Sequence, residues 1–348
     1  MNILLAYDGS DHADAAIRDL LLAGLPSSAR VLVLSVADAW LPEPAQSGGK
    51  ADAVLPGLNE IRAAVARQVG AQRELAEAGA ARLRALFPGW TVTADACADS
   101  PAGAIIRRAE GEGGGVDGSG GRADLTVLGS RGRGAIRRAL LGSVAQKVMH
   151  GLRGSLRIAR GHAASGADAA IDPGRPPRIV VGVDGSPDSD AMVEAVAARY
   201  WPVGTRVLVA CYAQGVAGLE HSGAATISGF GGGGVWSGDV AGAGGPLDSW
   251  AARTAERAAT RIRACRPGVS VSTIVRSADP TYALVDEAAN WGGHAGATAG
   301  QAGQGIGADC IFVGARGVRG LERLLLGSVS SAVAMSAPCS VEIVHRRL

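Results

Sequence analysis

The chain repeats itself, and the repeat constrains its fold more than any other feature. Ile3-Leu4-Leu5-Ala6-Tyr7-Asp8-Gly9-Ser10 returns as Ile179-Val180-Val181-Gly182-Val183-Asp184-Gly185-Ser186, an offset of 176. Val31 to Val36 and Val207 to Tyr212 keep that offset. It grows to 179 between Pro101 and Pro280, and to 185 from Ala123-Asp124 and Ala308-Asp309 to the end of each half. The halves are therefore duplicates with insertions at two places. The opening run of each is apolar without alternation, as expected of a parallel strand covered on both faces, and Asp-Gly-Ser then supplies tight-turn and N-cap chemistry. Each half reads strand, helix, strand, helix, strand, helix, strand, glycine-rich loop, helix, strand. Parallel neighbours need crossover connections, so this order predicts α/β architecture: two tandem doubly wound, Rossmann-like domains with helices on both faces of a parallel sheet.

The expected boundaries are 1–160 for the first domain and 178–348 for the second, with 161–177, rich in Gly, Ala and Pro, as a surface linker. Within the first domain, Asn59 to Leu86 carries Ile61, Val65, Val69, Leu75, Leu83 and Leu86 at roughly helical spacing among arginines and glutamates, an amphipathic helix to lie on the sheet.

Composition matters chiefly through 52 glycines in 348 residues, about twice the usual share of roughly 7%. Some fall in three low-complexity stretches, 111–121, 215–245 and 292–307, which read as mobile loops grown out of the fold because glycine loses the most backbone entropy on ordering. Others recur at fixed spacing. After the strand Leu125 to Leu128 come Gly129-Ser130-Arg131-Gly132 and then Gly142-Ser143; after Ile311-Phe312-Val313 come Gly314-Ala315-Arg316-Gly317 and then Gly327-Ser328. Each half thus carries Gly-x2-Gly-x9-Gly-Ser. A glycine pair at the C-terminal end of a parallel strand lets backbone N–H groups face a phosphate, and Gly-Ser opening a helix adds amides whose dipole favours an anion. The plainer reading is a set of turn and C-cap glycines inherited through duplication. Asp8 and Asp184 weigh against it: they end the first strand of each half, the edge at which doubly wound folds bind ligands, where a carboxylate can accept bonds from a ribose or purine.

These residues resemble the universal stress protein family in its tandem form. The match runs over nearly the whole chain apart from the linker and glycine-rich insertions, and is most specific at Ile179 to Ser186 and at Gly129 to Gly134 through Leu140 to Val144. The ATP-binding branch of that family is marked by the Gly-x2-Gly-x9-Gly-Ser/Thr loop. The resemblance implies a five-stranded parallel sheet and one adenine nucleotide per domain. Carried over, Ala6, Asp8 and Val36 would surround adenine and ribose in the first half, and Gly129, Gly132, Gly142, Ser143 and Val144 would hold the phosphates. Gly182, Asp184, Gly314, Gly317, Gly327, Ser328 and Val329 take these roles in the second. Tyr212 stands where the first half has Val36, and either stacks on the base or fills its space. In the family the last strand often pairs two domains edge to edge, so Leu156 to Ala159 and Val341 to Val344 would join the halves as an internal pseudo-dimer. The family's Pro-Cys-Pro-like turn before that strand appears as Ala337-Pro338-Cys339-Ser340 but is Leu152-Arg153-Gly154-Ser155 in the first half. The resemblance also allows two chains to associate as a homodimer.

Arg131 and Arg316 lie inside the loops, placed to meet phosphates; Arg133, Arg137 and Arg138 read as a solvated basic face, and of these Arg138 alone recurs in the second half, as Arg323. The 34 Lys and Arg nearly cancel the 32 Asp and Glu, so no uniform basic field makes nucleic acid or an anionic membrane the default partner. No phosphate-loop lysine motif, nucleophile elbow or His-Glu-x-x-His occurs, and the six histidines lack metal-ligand spacing. No catalytic residue and no resident metal site is assigned, although Asp8 and Asp184 suit the Mg²⁺ that travels with ATP. Cys97, Cys211, Cys265, Cys310 and Cys339 are too scattered for a disulfide framework, and the start resembles no signal peptide, so the expectation is a cytoplasmic protein. Three functions remain open at this point: a regulatory ATP-binding module acting on an unidentified protein partner, a slow nucleotide hydrolase or transferase using the same pocket, and an interaction domain with empty pockets.

Overall fold

The computed structural model describes residues 1–39, 58–132, 141–161, 175–213, 246–291, 307–317 and 326–346. The first half runs β1 (Asn2–Ala6), α1 (Asp11–Asp19), β2 (Arg30–Asp38), α2 (Leu58–Leu86), β3 (Thr91–Asp99), α3 (Pro101–Ala109), β4 (Leu125–Gly129), α4 (Ser143–Gly151), β5 (Leu156–Ala159). The second runs β6 (Arg178–Gly182), α5 (Pro187–Ala198), β7 (Arg206–Ala213), α6 (Pro246–Cys265), β8 (Ser270–Ser277), α7 (Pro280–Ala289), β9 (Cys310–Gly314), α8 (Ser328–Ser336), β10 (Ser340–Val344). Ser10 and Ser186 cap α1 and α5, each hydroxyl accepting from the backbone N–H three residues on, as the Asp-Gly-Ser turns predict.

The strand order is β3-β2-β1-β4-β5-β10-β9-β6-β7-β8. Within each half all pairings are parallel. The expected pair of five-stranded sheets is therefore joined into one of ten strands, because β5 and β10 pair antiparallel, with Val341 opposite Ile158, Glu342 opposite Arg157 and Ile343 opposite Leu156. The departure of Leu152 to Ser155 from the family turn does not prevent this pairing, which is made by backbone groups of the strands themselves. Reversal at the seam points the strand ends of the two halves in opposite directions.

Three apolar cores follow from this arrangement. One is shared across the seam, with α3, α4, α7 and α8 on a common face (Ile105, Val148, Leu284 and Val333 among its buried residues). The other two lie on the opposite face, under α1 and α2 in the first half and under α5 and α6 in the second. Helix α2 docks differently from its large-residue pattern: Ile61 and Leu86 are exposed, and the helix meets the sheet through Val65, Ala76, Ala80 and Leu83. Gly79 allows this, since a Cβ there would stand 3.0 Å from the ring of the buried Tyr7.

The stretch 111–121, expected as a mobile filler loop, closes on itself instead. Asp117 Oδ1 accepts from the Ser119 and Gly121 amides at 3.0 and 2.8 Å, and Val116 is buried in the shared core. A single apolar anchor and an Asx-type turn supply what composition hides. Residues 215–245 and 292–306 lie outside the described residues, as do 162–174 of the linker.

Candidate functional site

At the C-terminal end of β1 the chain turns through Asp8-Gly9-Ser10 into α1. Gly9 adopts φ 73°, a left-handed conformation that β-carbon-bearing residues disfavour, and Gly185 repeats it at 71°. The turn fixes Asp8, whose Oδ1 accepts from the Ser10 amide at 3.0 Å and hydroxyl at 2.6 Å. Asp184 Oδ1 likewise accepts from the Ser186 amide at 3.0 Å, while the Ser186 hydroxyl donates to the Arg316 carbonyl at 3.0 Å.

The glycine loop returns to this carboxylate. A Cβ on Gly132 would lie 2.7 Å from Asp8 Oδ2, and one on Gly317 would lie 2.7 Å from Asp184 Oδ2. Gly129 is pressed against the His12 carbonyl (2.7 Å to a Cβ) and Gly314 against the Asp188–Ser189 peptide (2.8 Å). The loop's far end is tied back by Gly142 N–H donating to Ser130 O at 2.8 Å, and by Gly327 N–H donating to Ala315 O at 2.7 Å. Helices α4 and α8 then start at Ser143 and Ser328 without a side-chain cap, unlike α1, α5 and α7. The amides of their first turns, Val144 and Val329 included, thus have no side-chain acceptor among the described residues, the usual condition of an anion-ready helix end.

The structure thus brings Asp8, Gly129, Arg131, Gly132, Gly142 and Ser143 together at one end of the sheet, and Asp184, Gly314, Arg316, Gly317, Gly327 and Ser328 at the other. Ala6 and Gly182 end β1 and β6 beside them. A Cβ on Gly182 would meet Leu284 at 3.0 Å, so α7 closes down on the second half's strand end. Val36 and Tyr212 each pack against the shared core from the ends of β2 and β7. The Tyr212 hydroxyl is buried without a hydrogen-bond partner among the described residues, and burial, with Glu287 nearby, pushes its pKa far up. Arg133, Arg137, Arg138 and Arg323 lie outside the described residues.

The two loop arginines differ in their surroundings. Arg316 Nε donates to Asp188 Oδ2 at 2.7 Å. Arg131 has no carboxylate partner among the described residues, and its Nε is buried without a hydrogen-bond partner. Two features here escaped the sequence reading. One is the residue facing each loop arginine from α1 or α5, His12 in the first half and Asp188 in the second. The other is a buried charge network at the seam. Arg157 Nε donates to Asp19 Oδ2 at 2.6 Å and Nη1 to Glu342 Oε2 at 3.1 Å; Arg199 pairs with Glu342, and Ser340 Oγ donates to Asp19 Oδ1 at 2.8 Å. The available signal was a charged residue inside each apolar last strand, at equivalent places and of opposite sign.

Among the described residues no group of three or more His, Cys, Asp and Glu side chains is assembled to hold a metal ion, and no helix is long and apolar enough to cross a membrane.

Fold and loops together define a class: paired doubly wound α/β halves, each with a carboxylate-facing glycine loop at the C-terminal strand edge. The universal stress protein family model matches residues 1–156 and 235–345, so the chain belongs to that family. The second match begins after β7, yet β6, α5 and β7 occupy the same sheet positions as β1, α1 and β2. A universal stress protein of Mycolicibacterium smegmatis is 27% identical over 244 residues, 65% of this chain; the match spans only 63% of that relative's length. One from Thermus aquaticus is 34% identical over 149 residues, 42% of this chain and 89% of its own. Among solved structures, a universal stress protein of Archaeoglobus fulgidus aligns over 99% of this chain and 98% of its own, with a TM-score of 0.60 at 18% identity, a likeness of fold.

Proposed function

We propose that the protein binds an adenine nucleotide, ATP with its Mg²⁺, at the glycine loops and acts as a cytoplasmic regulatory module of the stress response, with nucleotide occupancy altering its shape for a protein partner. In this reading the chain divides into domains at 1–160 and 178–348 around a linker at 161–177. The observation that carries it is the first-half loop: a buried Arg131 Nε with no hydrogen-bond partner among the described residues, beside an uncapped helix start and a glycine, Gly132, where a Cβ would stand 2.7 Å from Asp8 Oδ2. An anion satisfies the Arg131 and helix-end donors together. Gly129, Gly132, Gly142, Ser143 and Val144 would hold phosphates through backbone amides and the Ser143 hydroxyl, with Arg131 adding a charge-assisted bond. Ala6, Asp8 and Val36 would meet ribose and base, and Gly182, Asp184, Gly314, Gly317, Gly327, Ser328 and Val329 are the corresponding groups of the second half. Asp8 and Asp184 are already oriented by their serine turns, which suits them to accept from ribose hydroxyls. Three or four charge-assisted bonds at roughly 1.5–3 kcal/mol each account for micromolar affinity, about 8 kcal/mol, without any catalytic group.

The test is mass analysis of nucleotide released from the purified chain, repeated with Gly142→Val and Gly327→Val. A Cβ at these positions would already meet loop backbone at 3.3 Å, so a valine obstructs the loop. Adenine nucleotide is expected from the wild type and less from the variants. A folded wild-type chain that releases none and shows no thermal shift with added ATP refutes the reading.

A further inference from the structure

The duplicated halves keep the same loop but surround its arginine with different charges. Position 12 of the first half corresponds to 188 of the second, 131 to 316 and 160 to 345, so His12, Arg131 and Arg160 stand where the second half has Asp188, Arg316 and His345. Asp188 is 3% exposed and accepts from Arg316 Nε at 2.7 Å and from the Arg346 amide at 3.1 Å. Its burial raises its pKa, but the Arg316 and Arg346 bonds outweigh this and hold it below the ordinary value, so it stays a carboxylate at neutral pH. His12 supplies no negative charge, and its burial and the Arg131 charge lower its pKa. The same place beside the loop therefore carries, among the described residues, a guanidinium without a carboxylate partner in one half and a paired one in the other.

We propose that the two nucleotide sites are unequal: the first half takes the triphosphate, and Asp188 keeps the second half in a low-affinity state by holding Arg316 and opposing the phosphate charge. This rests on the nucleotide reading of the loops given above. For a phosphate to recruit Arg316 it must displace a buried carboxylate that is already bonded to it, and that carboxylate, if left unpaired, is itself costly. No such exchange with a neighbouring carboxylate faces a phosphate at Arg131, whose buried Nε has no hydrogen-bond partner among the described residues. A second difference points the same way at the base end. Tyr212 replaces Val36 with a ring packed on the shared core, adding bulk and a buried hydroxyl that has no partner among the described residues. Asp188 is thus a specificity-determining residue, and the halves have diverged into a loaded site and a guarded one.

Stoichiometric titration of the full chain with Mg·ATP, followed by native mass spectrometry, tests this. The wild type should take one ATP at low concentration and a second only at about ten-fold higher concentration or more, the discrimination expected of one charge-assisted bond. Gly142→Val should abolish the tight event and Gly327→Val the weak one. Asp188→Asn, nearly isosteric, and Asp188→His, which copies the first half, should each tighten the weak site about ten-fold, while His12→Asp should weaken the tight one similarly; thermal melts check that each variant is folded. Two equal sites in the wild type, a tight event lost in Gly327→Val, or a weak site unmoved in both folded Asp188 variants would overturn the inequality and leave the nucleotide reading intact. No ATP at either site overturns both.

Discussion

Replacing Arg157 by methionine should destabilise the whole chain. Arg157 is fully buried, and its guanidinium stands between Asp19, 1% exposed, and Glu342, also fully buried. Glu342 retains Arg199 when Arg157 is lost, but Asp19 retains only the Ser340 hydroxyl, a neutral donor at 2.8 Å. Removing one partner of a buried ion pair costs about 3–5 kcal/mol, because the remaining charge is stranded in a low-dielectric interior. At an unfolding entropy of about 2.1 cal/mol/K per residue, a cooperatively unfolding chain of this length should lose roughly 4–7 °C in melting temperature. Circular dichroism melts at neutral pH read this directly, with size-exclusion chromatography to report seam opening. Adding Asp19→Asn to Arg157→Met removes the stranded charge and should recover much of the loss, since a neutral amide needs no counter-ion. If Arg157→Met melts within about 1 °C of the wild type, or Asp19→Asn recovers nothing, the seam network is not holding the halves in the way described.

Three other changes have definite expected signs. Gly24→Ala should cost about 2–4 kcal/mol in chemical denaturation, because Gly24 sits at φ 60° and a Cβ would stand 2.5 Å from the Trp201 ring of the other half; an unchanged midpoint would contradict that contact. Tyr212→Phe should leave stability unchanged or raise it by about 1 kcal/mol, since it deletes a buried hydroxyl that has no partner, and a clear loss in the melt would count against it. Stability should also fall as pH drops below about 6.5, because burial lowers the folded-state pKa of both His12 and His345, so the unfolded chain takes up protons the folded one refuses; their contribution is complete above the unfolded value and lost below it. In His345→Gln the slope of melting temperature between pH 7 and 5 should be shallower, and an identical slope would remove His345 from the account.

The fold was legible because duplication doubled every signal. A short apolar run or a glycine pair is ambiguous once, but two copies in the same order leave one topology, and the loop glycines came to lie against Asp8 and Asp184 where such a topology puts them. What stayed hidden depends on which side chain faces which. Helix α2 was read through its large residues, whereas Ala76, Gly79 and Ala80 make the close approach. Arg131 and Arg316 look identical within their motifs, and only the fold shows that α1 brings a histidine to one and α5 an aspartate to the other. Asp19 and Arg199, far apart in sequence from Arg157 and Glu342, carry no motif of their own.

The register at the seam has a consequence for ancestry. Arg157 and Glu342 are the same position in the two copies, and they face each other directly. An edge that pairs with its own duplicate must present one residue to itself, so a lone half of either kind would set arginine against arginine or glutamate against glutamate inside a dry interface. By taking opposite signs, the copies have become complementary at this position, as a plug is to its socket. Each copy also carries its own counter-charge, Asp19 beside Arg157 and Arg199 beside Glu342, so what the difference between the copies adds is the direct Arg157–Glu342 bond across the seam.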